Sequence, residues 1–294
     1  IKHVFNHYGF SNYYDKVKWI KMDLEDVTEV YQAIKGVDFV YHSGAIVSFN
    51  KSDYEQMRRI NIEGTTNIVN ACLEHKIKKL AFISSVASIG RDGKSKYSEK
   101  NKWNSGKENS FYALTKYKAE NEVWRGIEEG LNAVITNPGI IIGPSHWGRS
   151  STTIFKQIHK GLSYFPEGKN GFIDVRDVAR ATIALMDSKI NRERFILVGE
   201  NLPYKSVFDD IALCLNKPKP YKKATKSLLE IAWRLEAIRC FITNKKQSIT
   251  KETARTASQI NIYENQKIIN ALNYNFKTIK EAISNTSKFL LKFK

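Results

Sequence analysis

Three cysteines, six prolines and three methionines in 294 residues close several explanations from the start. Cys72, Cys214 and Cys240 are too few and too scattered for a disulfide framework or a zinc site, and no metal is expected. Their scarcity fits a reducing compartment, so the expected location is cytoplasmic. No stretch approaches the roughly 18 consecutive apolar residues of a membrane-spanning helix. The opening residues, Ile1 to Tyr8, lack the basic-then-apolar plan of an export signal. There is no internal repeat, no low-complexity tract and no nucleic-acid motif.

Acidic residues are also in short supply: 30 against 47 Lys and Arg, a formal net charge of +17. The lysines are spread along the whole chain rather than gathered in a stripe with interleaved aromatics. This reads as a solvated basic surface and not as a nucleic-acid face, with the capacity to attract a phosphorylated cofactor or an anionic substrate. With 42% hydrophobic and 26% charged residues, the rest of the composition is that of a globular chain with an ample core.

Short β-branched runs alternate with helical patterns over the first two-thirds, the signature of a parallel sheet covered on both faces. Strands are expected at Lys18–Met22, Val37–His42, Leu80–Ser84, Ala133–Thr136 and Phe195–Val198. Helices are expected at Val27–Ile34, Asp53–His75, Tyr112–Glu129 and Val175–Asp187. After about residue 199 the alternation fades into helices at Lys226–Ile242, Asn265–Leu272 and Ile279–Leu291. Residues 1–143 and 173–198 are therefore assigned to a doubly wound domain, and 144–172 with 199–294 to a smaller, mostly helical substrate domain. The basic, Trp-containing segment Ile231–Phe241 admits two readings, a helix lying on a membrane surface or one packed over the substrate pocket; the second is preferred.

The sharpest chemical signal is Tyr112-Ala113-Leu114-Thr115-Lys116. Positions four apart share a helix face, so the ammonium can lie beneath the ring. A phenol of ordinary pKa, about 10, is a poor proton shuttle at neutral pH, and a nearby cation favours its phenolate. Lys116 and a positively charged nicotinamide ring are expected to lower it together. Ser84-Ser85 ends a buried-strand pattern, where a hydroxyl can hold a substrate carbonyl beside the tyrosine. Small residues end two further strands, in His42-Ser43-Gly44-Ala45 and Pro138-Gly139, where backbone can approach a cofactor. Asn61 falls mid-helix, either binding backbone or water near the site or facing solvent.

In this order the motifs resemble the extended short-chain dehydrogenase/reductases of the NAD-dependent epimerase/dehydratase family, nearest to the dihydroflavonol-reductase and 3β-hydroxysteroid-dehydrogenase-like branch. The resemblance runs from Lys18 to about Leu197 and returns weakly at Ile249–Phe276. It implies a Rossmann-like α/β fold and NAD or NADP as cofactor. Asp23 and Leu24 would contact the adenine, and His42, Ser43, Gly44 and Ala45 would line the cofactor with Ser84. Pro138, Gly139 and Ile141 would flank the nicotinamide. The family's serine, five residues before a glycine, selects Ser85 over Ser84 as catalytic, together with Tyr112 and Lys116.

The departure lies at the start. Family members open with a strand and a Gly-x-x-Gly-x-x-Gly turn that seats pyrophosphate on a helix N-terminus. Here the N-terminal strands are expected to be missing, with weak unaided NAD(P) binding as the consequence. Val86 and Ala87 stand where dehydratases carry an acidic pair, which argues against dehydration. The leading reading is reversible carbonyl reduction or alcohol oxidation on a small, hydrophobic molecule. A nucleotide-sugar epimerase and a non-catalytic Rossmann-like binding protein remain as alternatives. The resemblance also implies a homodimer through the helices Asp53–His75 and Tyr112–Glu129.

Overall fold

The computed structural model describes residues 1–93, 95–106, 109–243, 247 and 249–293. Its centre is a four-stranded, wholly parallel sheet in the order Phe39–His42, Lys79–Ile83, Ala133–Pro138, Glu193–Leu197. The two inner strands are apolar on both faces, because helices cover the sheet from both sides. On one side Val30, Ile68, Val69, Val123 and Ile127, from helices Val27–Ile34, Gly64–Glu74 and Phe111–Glu128, pack on Leu80 and Ile135. On the other, Val178, Ala181 and Leu185 of helix Val175–Asp187 and Ile268 of helix Gln266–Leu272 cover Ala81 and Val134. This is the expected doubly wound architecture.

Two helices begin where capping chemistry says they should. Asp26 accepts from Thr28 N and Glu29 N, and Asp174 accepts from Arg176 N, satisfying first-turn donors that have no partner within the helix. Both boundaries match the sequence expectation.

One expectation fails and two are met with differences. Lys18–Met22 has no regular secondary structure and joins no sheet among the described residues, since Phe39–His42 pairs only with Lys79–Ile83. An apolar–polar alternation gives a strand only where a ladder partner lies alongside. The expected helix Asp53–His75 runs without a break but irregularly: a 3₁₀ turn at Lys51–Asp53 leads into Tyr54–Met57, a π-helical stretch Arg58–Glu63 and then Gly64–Glu74. The second part of the chain is mostly helical, as expected, with helices Tyr204–Cys214, Lys226–Thr243, Lys251–Ser258, Gln266–Leu272 and Ile279–Lys292, and it adds short strands that the pattern did not announce. A three-stranded sheet joins Ile140–Ile142, Lys169–Asp174 and Glu200–Pro203, and two-stranded ladders join Lys222–Ala224 to Tyr164–Pro166 and Ile262–Tyr263 to Lys96–Tyr97.

A separate apolar core gathers Phe155, Phe172, Val207, Ile211, Ile283 and Leu290 around helices Thr152–His159, Tyr204–Cys214 and Ile279–Lys292. The first helix, Lys2–His7, lies against this core, with His7 Nε2 2.9 Å from Asn285 Oδ1.

Candidate active site

Lys79–Ile83 delivers Ser84 and Ser85 to the carboxyl end of the sheet. Ser85 then caps a 3₁₀ turn, Val86–Ile89, by accepting from Ala87 N at 3.1 Å. The turn closes on Gly90, whose φ of +82° is costly for any other residue and whose missing Cβ would lie 3.1 Å from Trp103 Cα. Helix Phe111–Glu128 starts beside this turn with Ser110 as its N-cap, so Tyr112 lies in its first turn. The Ser85 side chain lies close enough to Tyr112 to act on its phenol, in the sense that favours the phenolate. One turn further along, Lys116 is 2% exposed. Its Nζ donates to Ile83 O at 3.0 Å and lies 4.4 Å from the centre of the Phe82 ring.

The electrostatics differ from the sequence expectation. Burial pushes the Tyr112 phenol up to about 12, and the Ser85 hydroxyl only partly opposes it. Burial also pulls Lys116 down to about 8, while the Glu120 carboxylate acts in the opposite sense. The ammonium that was to lower the phenol is turned towards a strand carbonyl and an aromatic face. In this state Tyr112 is a neutral proton donor at pH 7.

Behind the pair lies a polar hub that sequence reasoning missed. Glu120, 2% exposed, accepts through Oε2 from Ser84 Oγ at 2.7 Å, Ser88 Oγ at 2.6 Å and Asn137 Nδ2 at 2.8 Å. Its Oε1 pairs with Arg194 Nη1 at 3.1 Å. Asn137 Nδ2 also lies 3.2 Å from Ser85 O, tying the hub to the backbone of the candidate residue itself. The Ser84 side chain, expected at the cofactor, is committed to this hub instead. Helical spacing held the signal, because Glu120 follows Lys116 by four positions as Lys116 follows Tyr112.

His42, at the end of Phe39–His42, is 4% exposed, and its Nε2 lies 3.0 Å from Thr65 Oγ1. Thr65 gives its own proton to Asn61 O at 2.7 Å, so His42 donates through Nε2 and leaves Nδ1 unprotonated. Asn61 faces inward. Its Oδ1 accepts from Ile46 N at 2.7 Å, while Nδ2 donates to Ile46 O at 2.9 Å and to Thr115 Oγ1 at 3.1 Å. It therefore pins the exposed loop Ser43, Gly44, Ala45 to the tyrosine helix. Leu24 underlies this loop: a Cβ on Gly44 would meet Leu24 Cδ1 at 2.9 Å, and Asn67 Nδ2 holds Leu24 O at 2.9 Å. Asp23 is exposed and accepts from Glu25 N at 3.0 Å. Pro138 ends its strand, and Gly139 permits a close crossing, since a Cβ there would come 2.5 Å from Gly171 O. Ile141 lies in the adjoining strand and accepts from Ser151 Oγ at 2.6 Å.

Burial and Lys116 bring the His42 imidazole down to about 3 from its ordinary 6.5. The unfolded chain therefore binds one more proton than the folded chain between those values. Stability present above pH 6.5 is lost as pH falls towards 3. Replacing His42 by Asn should remove about 1.4 kcal/mol per pH unit from that acid slope. Chemical denaturation at several pH values measures it, and an unaltered slope would show that His42 is not buried in neutral form.

Aromatic rings surround the entrance. Phe49 lies edge-on to Tyr112 at 6.1 Å, and Tyr54 stacks on Phe111 at 4.0 Å. Glu252, on helix Lys251–Ser258, accepts from Tyr54 Oη at 2.9 Å and from Phe111 N at 3.2 Å. The same helix reaches a cavity of about 620 Å³ lined by Arg91, Tyr97, Leu229, Arg255 and Asn261, which adjoins the tyrosine region without including Ser85, Tyr112 or Lys116. Among the described residues no cluster of His, Cys, Asp or Glu could hold a metal ion.

A doubly wound sheet with serine, tyrosine and lysine at its carboxyl end defines the Rossmann-fold epimerases, dehydratases and reductases. The chain belongs to the NAD dependent epimerase/dehydratase family, whose family model matches residues 3–199. It is 27% identical over 280 residues to a putative dihydroflavonol 4-reductase of Synechocystis, covering 91% of this chain and 80% of that relative. With sterol demethylase protein B of Methylococcus capsulatus it shares 26% identity over 200 residues, covering 67% of this chain and 61% of the relative. Among solved structures, gox2253 superposes with a TM-score of 0.77 at 26% identity, over 92% of this chain and 83% of that one. The UDP-glucose 4-epimerase of Thermotoga maritima gives 0.74 at 18% identity over 93% and 84%, a likeness of fold alone.

Proposed function

We propose that the protein is an NAD(P)-dependent oxidoreductase that reduces the carbonyl of a small, apolar molecule and can run in reverse on the alcohol. The observation that carries this is that Ser85 lies close enough to Tyr112 to act on its phenol, one helical turn from the buried Lys116. Ser85 would hold the carbonyl oxygen and Tyr112 would deliver its proton, which a neutral phenol is suited to do. A bound nicotinamide supplies or takes up the hydride. The chain fits such a group: Lys116 makes one hydrogen bond among the described residues and so has further protons to offer a ribose diol. Ser43, Gly44 and Ala45 offer exposed backbone at a strand end, and Pro138, Gly139 and Ile141 border the same end of the sheet.

Residues 144–172 and 199–294 form the substrate part in this reading, and the rings of Phe49, Tyr54 and Phe111 favour an apolar ligand. Val86, buried in the 3₁₀ turn, and Ala87 offer no acid or base for dehydration. The reductase names of these relatives favour reduction over epimerisation. Three free cysteines fit a cytoplasmic location, and no described helix is long and apolar enough to cross a membrane. A homodimer through residues 53–75 and 112–129 has less support, because none of the large exposed apolar side chains lies on those helices.

Purified protein incubated with NADH or NADPH and a panel of apolar aldehydes and ketones should consume the cofactor. The rate should hold below pH 8 and fall above it, because Lys116 loses its proton near about 8. Absence of turnover with every carbonyl and both cofactors, in protein that binds the dinucleotide, would favour the binding-module reading.

A further inference from the structure

Helix Lys226–Thr243 has two apolar faces, and only one is covered. Trp233 and Ala237 are half-buried and Cys240 is buried, on the side packed against helix Lys251–Ser258. The sequence reading of a helix packed beside the pocket therefore holds for this face; the side chain of Phe241 lies outside the described residues. On the other face stand Leu228, Ile231, Leu235, Ile238 and Ile242, exposed by 37, 56, 62, 58 and 76%. Their steps of three and four put them in a single stripe along a helix of 18 residues, about 27 Å long.

Charge brackets the stripe. Residues 215–251 hold ten Lys and Arg against two acids, Glu230 and Glu236. Both acids are engaged within the helix, Glu230 with Arg234 and Glu236 with Arg239, each at 2.7 Å. Lys217, Lys219, Lys222, Lys223 and Lys226 precede the helix, and Lys245, Lys246 and Lys251 follow it. Tyr221, 71% exposed, stands among the first group.

We propose that helix Lys226–Thr243 docks the protein on an anionic lipid bilayer, lying in the plane of the surface. Its leucine and isoleucine side chains enter the acyl boundary while the flanking lysines meet the headgroups. A second copy of the chain is the competing occupant, since the same spacing suits a coiled-coil seam. Charge decides between them. A second copy would add a further net charge of +8 over residues 215–251 and no acid free of an arginine partner, whereas an anionic bilayer supplies the missing sign. Lys226, Leu229 and Glu230 line the 620 Å³ cavity from the covered face, so docking by the stripe would leave that cavity on the side of the helix away from the bilayer.

Co-sedimentation with vesicles of phosphatidylcholine, with and without about 30% phosphatidylserine, tests the proposal. The full chain should bind the anionic vesicles, at least about tenfold more weakly bind those of phosphatidylcholine alone, and lose affinity as salt rises. The double substitution Leu235→Gln/Ile238→Gln should weaken binding at least about tenfold with the circular dichroism unchanged. Ile242→Gln serves if that variant folds poorly. Failure to bind anionic vesicles overturns the proposal, and so does undiminished binding by the folded variants, which would reduce the interaction to surface charge. A dimer in sedimentation velocity that the double substitution dissolves would assign the stripe to a second copy instead. None of these outcomes depends on turnover, so the proposal and the oxidoreductase reading fail separately.

Discussion

Replacing Tyr112 by Phe should lower kcat at least about 100-fold while leaving the melting temperature where it is. The ring and its edge-on contact with Phe49 survive the change, so packing is preserved. What disappears is the one hydroxyl that lies beside Ser85 and can pass a proton to a carbonyl oxygen. Ser85 keeps its bond from Ala87 N, and the 3₁₀ turn that carries it should not move. Steady-state kinetics beside a thermal melt make the comparison. Activity close to that of the unaltered protein would reduce Tyr112 to an ordinary residue of a helix face.

Glu120 should show the reverse pattern, a loss of stability first. Truncation to Ala leaves Arg194 without its carboxylate and takes the acceptor from Ser84, Ser88 and Asn137 at once. Breaking a buried pair by removing one partner costs about 3–5 kcal/mol, because the remaining charge and donors stay out of water. Urea unfolding should report that loss, and an unchanged midpoint would mean that the hub is solvated. Glu120→Gln retains the shape but removes the charge that raises Lys116. The alkaline limb of kcat should then move to lower pH, a readout that a purely structural role would leave in place.

Much of the frame was legible because local and global preferences agree. Asp26 and Asp174 mark helix starts, and apolar runs such as Leu80-Ala81-Phe82-Ile83 belong only to strands buried on both faces. The trio Ser85, Tyr112 and Lys116 stands out by spacing and order, and the fold places Ser85 beside the Tyr112 phenol. Lys18–Met22 was misread because alternation cannot reveal whether a neighbouring strand exists. Lys96–Tyr97 and Ile262–Tyr263 are too short for any period to register, and pair only because the chain around them is already placed. Glu120 stayed hidden for another reason. A glutamate on a helix reads as solvent-facing until its donors, drawn from residues 84, 88, 137 and 194, are known to converge. For the chain without a cofactor, desolvation outweighs charge at Tyr112, which spacing alone does not show.

The π-helical stretch Arg58–Glu63 carries a consequence for how the chain tolerates insertions and deletions. A π turn holds an extra residue relative to an α turn, and losing one residue would restore regular α geometry. The two flanking helical segments would keep their phase, but side chains within the stretch would be turned round the helix by up to about 100°. Asn61 would swing away from Ile46, releasing both ends of its clamp on the loop Ser43–Ile46. A one-residue deletion here would yield a more regular helix and a looser cofactor face, whereas the same deletion in a surface connection would be absorbed. The irregularity functions as a reading frame for side-chain direction, and the length of this segment is as much a part of the site as the identity of any residue in it.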